Sequence, residues 1–249
     1  MGRSDAIAAQ LTLPPEDLAF SEELIAGEPE PVQRYFRHAI AEGTPLARSV
    51  TLRQTGSMKP NPAAARFEIA AEETLAPPFG LVWNARTTIG PLPFRIVDTH
   101  FEGKGALRGS VLGIPVMRGS GIDMSRSSRH RVVAESIWVP SALLPHRGVA
   151  WTAESDRAIR ASIVIDEESV DIRLTLNPDG AVGEISMHRY GNVGTPDWSL
   201  IPYGFATESE STFEGYTIPS TVRGGWWYGT DRYQPEAASF FSIHGARFR

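Results

Sequence analysis

The sequence predicts a mainly β fold with inserted helices: a strongly curved antiparallel half-barrel sheet with helices packed in or against its concave face. Three observations predict it. Apolar and polar residues alternate with a period of two from Ser49 to about Met117, and again in the last hundred or so residues. The alternating segments are joined by short breaks, which indicates a meander and not βαβ units. One helical region precedes the first strand, and another, Ser120 to Leu144, splits the strands. A flat sandwich needs no helices, whereas a curved sheet gives each helix stripe an apolar partner.

The first forty residues read as helical. Ser21 is placed to cap a short turn through Leu24 and Ile25 that stops at Gly27. Pro29 and Pro31 then fit the first turn of a helix, where a missing N–H costs nothing. Val32, Tyr35, Phe36, Ala39 and Ile40 follow at helical spacing as one apolar stripe, ended by Gly43 and Pro45.

Strand alternation follows in Val50 and Leu52, Phe67 and Ile69, Leu81 and Trp83, and Phe94 and Ile96. The breaks fall at Lys59-Pro60-Asn61-Pro62, Pro77-Pro78, Gly90-Pro91 and Gly103-Lys104-Gly105. Ser120 with Asp123 three residues on has the spacing of a capping pair, so a helix is expected over Ile122 to Trp138, packed into the concave face. Pro140 ends it, and Ser141 to Leu144 adds a turn. Asn177-Pro178-Asp179-Gly180 marks a hairpin, and further strands fit Val182–Tyr190, Ser211–Thr217, Thr221–Thr230 and Ala238–Phe248. With no linker, repeat or low-complexity stretch, residues 1–249 read as a single domain. It has N-terminal helices over 1–45, strands over 46–119, inserted helices over 120–145 and strands over 146–249.

The totals narrow the functional classes. Cysteine is absent, which removes disulfides, thiol nucleophiles and cysteine-ligated zinc. The formal net charge of −5 and scattered basic residues argue against nucleic acid as a partner. The first ten residues have no apolar stretch of a secretory signal, and no apolar run is long enough for a transmembrane segment. The expected location is cytoplasmic.

Chemical motifs are few. His38, His100, His130, His146, His188 and His244 have no metal-ligand spacing, so no metal and no cofactor are expected. Gly103-Lys104-Gly105 lacks the spacing and following helix of a phosphate loop, and Gly119-Ser120-Gly121 is not a nucleophile elbow. The acidic run Asp166-Glu167-Glu168 fits a hairpin tip. Catalytic residues cannot be assigned. The six tryptophans are more informative: on a curved sheet they either fill the core or line a cavity for an apolar ligand.

Three stretches resemble a known family. They are Glu30-Pro31-Val32-Gln33-Arg34-Tyr35-Phe36, Ala134-Glu135-Ser136-Ile137-Trp138-Val139-Pro140-Ser141, and Gly215-Tyr216-Thr217-Ile218-Pro219 followed by Trp226 and Tyr233. From about Pro29 to the C-terminus the chain resembles a bacterial family classed as a domain of unknown function. That family is similar in architecture to the LolA/LolB lipoprotein-carrier half-barrels. The resemblance implies a curved sheet closed by helices around an apolar cavity, and a lipid-like ligand; it brings no catalytic residues.

The expected function is therefore non-catalytic binding of an apolar or lipid-like small molecule between sheet and helices. Trp83, Trp138 and Trp151 would line the cavity, with Glu135, Arg189 or Tyr190 near its mouth to orient a polar head. The alternative is an enzyme acting on an apolar small molecule by cyclisation, isomerisation or hydrolysis. A buried Glu135, His188 or His100 would then serve as general acid or base. A third reading, a partner-binding module, rests on Trp226 and Trp227: adjacent on one strand, they would point to opposite faces.

Overall fold

The computed structural model describes residues 2–59 and 65–249. The predicted break at Lys59–Pro62 lies largely outside them. Six strands run in sequence: β1 (Val50–Met58), β2 (Phe67–Ala76), β3 (Gly80–Ile89), β4 (Leu92–Phe101), β5 (Lys104–Val111) and β6 (Ile114–Ser120). Seven more follow: β7 (Ala150–Ser155), β8 (Ala158–Ile165), β9 (Glu168–Leu176), β10 (Val182–Gly191), β11 (Ser199–Phe213), β12 (Tyr216–Trp226) and β13 (Ser239–Phe248). The thirteen strands among the described residues form one antiparallel sheet in the order β6-β5-β4-β3-β2-β1-β13-β12-β11-β10-β9-β8-β7.

The chain thus works outward from the centre of the sheet to one edge, crosses to the other edge, and works back until β13 pairs with β1. The crossing is α3 (Ile122–Glu135), with 3-10 turns at Ser136–Trp138, Pro140–Leu143 and Pro145–Arg147. Because α3 starts at one edge strand and leads to the other, it spans the opening of the curled sheet, packing on β5 and β10. It also completes β10. That strand pairs with β9 only over Val182–Ser186, and beyond it the Tyr190 N–H donates to His130 Nδ1 of α3 at 3.2 Å.

Curvature has identifiable sources. Bulges interrupt the β1–β13, β11–β12 and β5–β6 pairings. Near the centre, Gly56 and Gly224 let strands approach closely: a Cβ there would lie 2.3 Å from the Phe240 carbonyl oxygen and 2.1 Å from that of Gly204.

The concave face holds the main core. It includes the full stripe Val32, Tyr35, Phe36, Ala39 and Ile40 around α2 (Glu30–Ala39), together with Leu52, Leu81, Ile137 and Leu174. The helix α1 (Arg3–Leu11) packs on the convex face, where Leu11 meets Ala76 and Val82.

Several local expectations need correction. Ser120 ends β6 and caps nothing; Gly121 precedes the helix instead, at φ 113°, a conformation glycine adopts without a Cβ clash. The α-helix stops at Glu135, and the expected last turn to Trp138 is 3-10. The strand expected over Ser211–Thr217 is really two. Phe213 and Tyr216 face each other across the Glu214–Gly215 turn, and β11 reaches back to Ser199. The strand expected over Thr221–Thr230 ends at Trp226. Trp227 sits in the following turn at φ 65°, so the two tryptophans do not share a strand, and both are half-buried.

Candidate functional site

Alternation puts Gln54 of β1, Glu73 of β2, Trp83 of β3 and Asp98 of β4 on the concave face, opposite α3. Arg131 and Glu135, one helical turn apart on α3, come down onto them. The Arg131 guanidinium meets three carboxyl groups: Glu135 Oε1 at 2.8 Å, Asp98 Oδ2 at 2.7 Å and Glu73 Oε1 at 3.3 Å. Its Cζ lies 5.1 Å from the Trp83 ring centroid. Gln54 Nε2 donates to Glu73 Oε2 at 2.9 Å.

Three acids share one cation here, and Glu73 is fully buried. Burial, and next the charge of Glu135, hold the Glu73 carboxyl well above the usual carboxylate range. Arg131 and the Gln54 amide pull the other way and lose. The cluster therefore favours a proton on Glu73 over a wider pH range than a solvated carboxyl would hold one. Asp98 Oδ1 and Glu135 Oε2 are buried without a hydrogen-bond partner. The arrangement can hold and hand over a proton, or accept from a bound donor.

A second feature occupies the same face on β10–β12. Arg189 follows Met187 by two residues, and Tyr203 and Trp226 are register partners. The Arg189 Cζ lies 4.8 Å from the Tyr203 ring and 4.9 Å from the Trp226 ring. Its Nε is buried without an acceptor, and no carboxylate among the described residues pairs with the guanidinium. Tyr203, Phe241, Ile96, Ala71 and Met58 lie on this face as partly buried apolar residues at the border of the core.

A third cluster lies where α3 meets the ends of the sheet. His100 of β4 is buried, with Nδ1 2.9 Å from Ser128 Oγ and Nε2 3.1 Å from Asp166 Oδ2 in the β8–β9 turn. Serine, histidine and aspartate are thus connected, but not as a nucleophile. Ser128 lies beneath Gly105, where even a Cβ would come within 2.1 Å of its hydroxyl, which leaves no room for a substrate. Glu168 accepts from Arg126, Arg129 and His130 at 2.7–3.2 Å. Burial is the largest single influence on Glu168 and raises it, yet these three donors together bring it down to about 2. Burial lowers both His100 and His130. The three together fasten α3 across the opening.

The structure distributes the sequence-predicted residues over several places. Trp83 and Glu135 meet through Arg131. Trp138 is 4% exposed, stacks on Phe205 at 6.3 Å and donates from Nε1 to the Pro219 carbonyl at 3.0 Å. Trp151 lies with Tyr35 and Phe36 against α2, its ring 5.7 and 5.5 Å from theirs, and its Nε1 donates to the Leu143 carbonyl. Tyr190, next to Arg189 on the strand, turns the other way: its hydroxyl donates to Asp123, and its ring lies between Arg126 and Trp198. His188 is exposed, against the expectation of a buried base. Sequence reading missed Gln54, Glu73, Asp98 and Arg131. The available signal was a polar residue at an inward position of each of three strands.

A protein-family profile described as "Family of unknown function (DUF6544)" matches residues 18–235, and the chain belongs to that family. No protein of curated function matches the sequence. Among solved structures, the chain is similar to a DUF1329 family protein from Desulfovibrio piger, at 6% identity and TM-score 0.46, covering 88% of this chain and 90% of that one. It is similar to a LolA superfamily protein from Nitrosomonas europaea, at 8% identity and TM-score 0.46, covering 88% and 92%. A putative outer membrane lipoprotein-sorting protein domain from Vibrio parahaemolyticus aligns at 6% identity and TM-score 0.42, covering 81% and 85%. No helix of the described residues is long and apolar enough to cross a membrane.

Proposed function

We propose that this member of the DUF6544 family binds a small anionic amphiphile on the concave face of its sheet. One observation carries the reading: Arg189, half-buried between two aromatic rings, has a buried Nε and no anionic partner. Withdrawing part of a guanidinium from water costs desolvation energy that an ion pair normally offsets. The rings of Tyr203 and Trp226 offset part of it, and a ligand carboxylate or phosphate would supply the rest. The apolar body would rest on the partly buried rings beside it, Tyr203 and Trp226. Trp83, Trp138 and Trp151 then support the wall, Glu135 belongs to the cluster behind it, and Tyr190 braces α3 from the other side. Native mass spectrometry of the purified chain with laurate tests this. A single stoichiometric adduct is expected in the parent and not in Arg189→Gln; equal adduct in both would contradict it.

The raised carboxyl of Glu73 beside Glu135 and Asp98 favours a second reading, an enzyme using Glu73 as general acid toward the same class of molecule. Prolonged incubation separates the two. A change in ligand mass that Glu73→Gln abolishes would make the site catalytic, and an unaltered ligand leaves it a binding site.

A further inference from the structure

The convex face of β3–β6 carries a charged surface that the concave site does not use. Arg86 of β3 is the register partner of Arg95 on β4, and Arg108 of β5 that of Arg118 on β6. All four are exposed. Register partners project to the same face with Cβ atoms about 5 Å apart, and like charges placed so are destabilising. Arg95 donates to the Asn84 amide oxygen at 2.8 Å, and among the described residues none of the four has a carboxylate partner. Between these strands and α1 runs a groove of about 350 Å³. Arg3, Arg95, Lys104, Arg108 and Arg118 line it, and Glu102 is the sole acid among its lining residues. In a chain of net charge −5 this is a local reversal of sign.

The same strands end in an exposed apolar rim. The β3–β4 and β5–β6 turns lie at one end of the sheet, because β3 and β5 run in the same direction. Ile89 and Leu92 flank the first turn; Leu112 and Ile114, exposed by 68% and 67%, belong to the second. The edge strand β6 has no buried residue, so its Ile114, Val116 and Met117 serve no core. Exposed apolar side chains on an edge strand ordinarily invite aggregation, and here they adjoin unpaired cations.

We propose that this surface docks on an anionic phospholipid bilayer. The apolar rim enters the headgroup region, and the arginine row neutralises lipid phosphates. The juxtaposition of rim and cations favours a bilayer over a soluble polyanion, which would use the cations alone. The surface is separate from Arg189, so a variant there leaves docking unchanged.

Co-sedimentation of the full chain with vesicles tests the proposal. Vesicles of mixed phosphatidylglycerol and phosphatidylcholine should bind it, and phosphatidylcholine alone should not. Added salt should weaken binding. The pair Arg108→Gln and Arg118→Gln should lower partitioning about 25-fold, at roughly five-fold per charge, while Arg108→Lys with Arg118→Lys retains it. Leu112→Ser with Ile114→Ser should weaken it too. These side chains are exposed, and an unchanged thermal melt confirms folding. Equal binding to both vesicle types, or no effect of either pair, overturns the proposal. So does arginine-dependent binding of duplex DNA without vesicle binding, or a dimer in solution that the Leu112 and Ile114 variant dissolves while vesicles stay unbound.

Discussion

His100 Nε2 on β4 lies 3.1 Å from Asp166 Oδ2 in the β8–β9 turn, a contact between strands far apart in the sheet order. The sheet does not close by backbone hydrogen bonds; side chains on and around α3 close it. His100 Nε2 faces the Asp166 carboxylate and Nδ1 faces Ser128 Oγ, whose hydroxyl donates to the Ser125 carbonyl at 3.0 Å.

That closure should be acid-sensitive. Burial lowers His100 and His130 below the usual histidine value of about 6.5. The unfolded chain then binds protons first, so stability falls as pH drops below about 6.5. Glu168, brought down to about 2, adds a second loss between the unfolded carboxylate range and that value. Thermal melts from neutral to mildly acidic pH should show a falling Tm, with a shallower fall in His100→Gln. An identical slope in that variant would contradict the assignment.

The polar cluster makes the opposite prediction on the alkaline side. Glu73 keeps its proton in the folded state above the unfolded value of about 4.3. Its contribution is therefore lost as pH rises from there through the raised folded value. Glu73→Gln, which resembles the protonated acid, should show a weaker loss of Tm as pH rises above the unfolded value of about 4.3. An unchanged profile would mean that Glu73 ionises freely. Arg131→Met leaves its carboxyl partners without their cation and should cost about 3–5 kcal/mol, read by denaturant unfolding.

Trp138 tests the architecture. It is buried between the α3 end and β11–β12, stacked on Phe205 and bonded to the Pro219 carbonyl. Trp138→Ala should cost about 3–5 kcal/mol. A melting temperature equal to the parent's would contradict the packing at the centre of the fold.

Much of the fold was legible because single residues carried it. The stripe from Val32 to Ile40 had only one way to be buried, and Asn177-Pro178-Asp179-Gly180 had one turn to make. The site was less legible. Glu73 and Asp98 read as breaks in the apolar pattern until Arg131, 58 and 33 positions away, gives them a partner. Arg189 shows the converse: its position on the strand was readable, but the rings around it come from β11 and β12, through pairings that periodicity does not specify.

The central claim, an anion site at Arg189, is tested most directly by one comparison. Quenching of tryptophan fluorescence, with Trp226 beside the site as reporter, can be titrated with laurate and with dodecanol, which has the same chain and no charge. A hydrogen bond to a charged group is worth about 1.5–3 kcal/mol, or roughly 10- to 100-fold in affinity. Arg189→Gln should weaken laurate binding by that factor and leave dodecanol unchanged. Equal loss of both ligands, or loss of neither, would contradict the account.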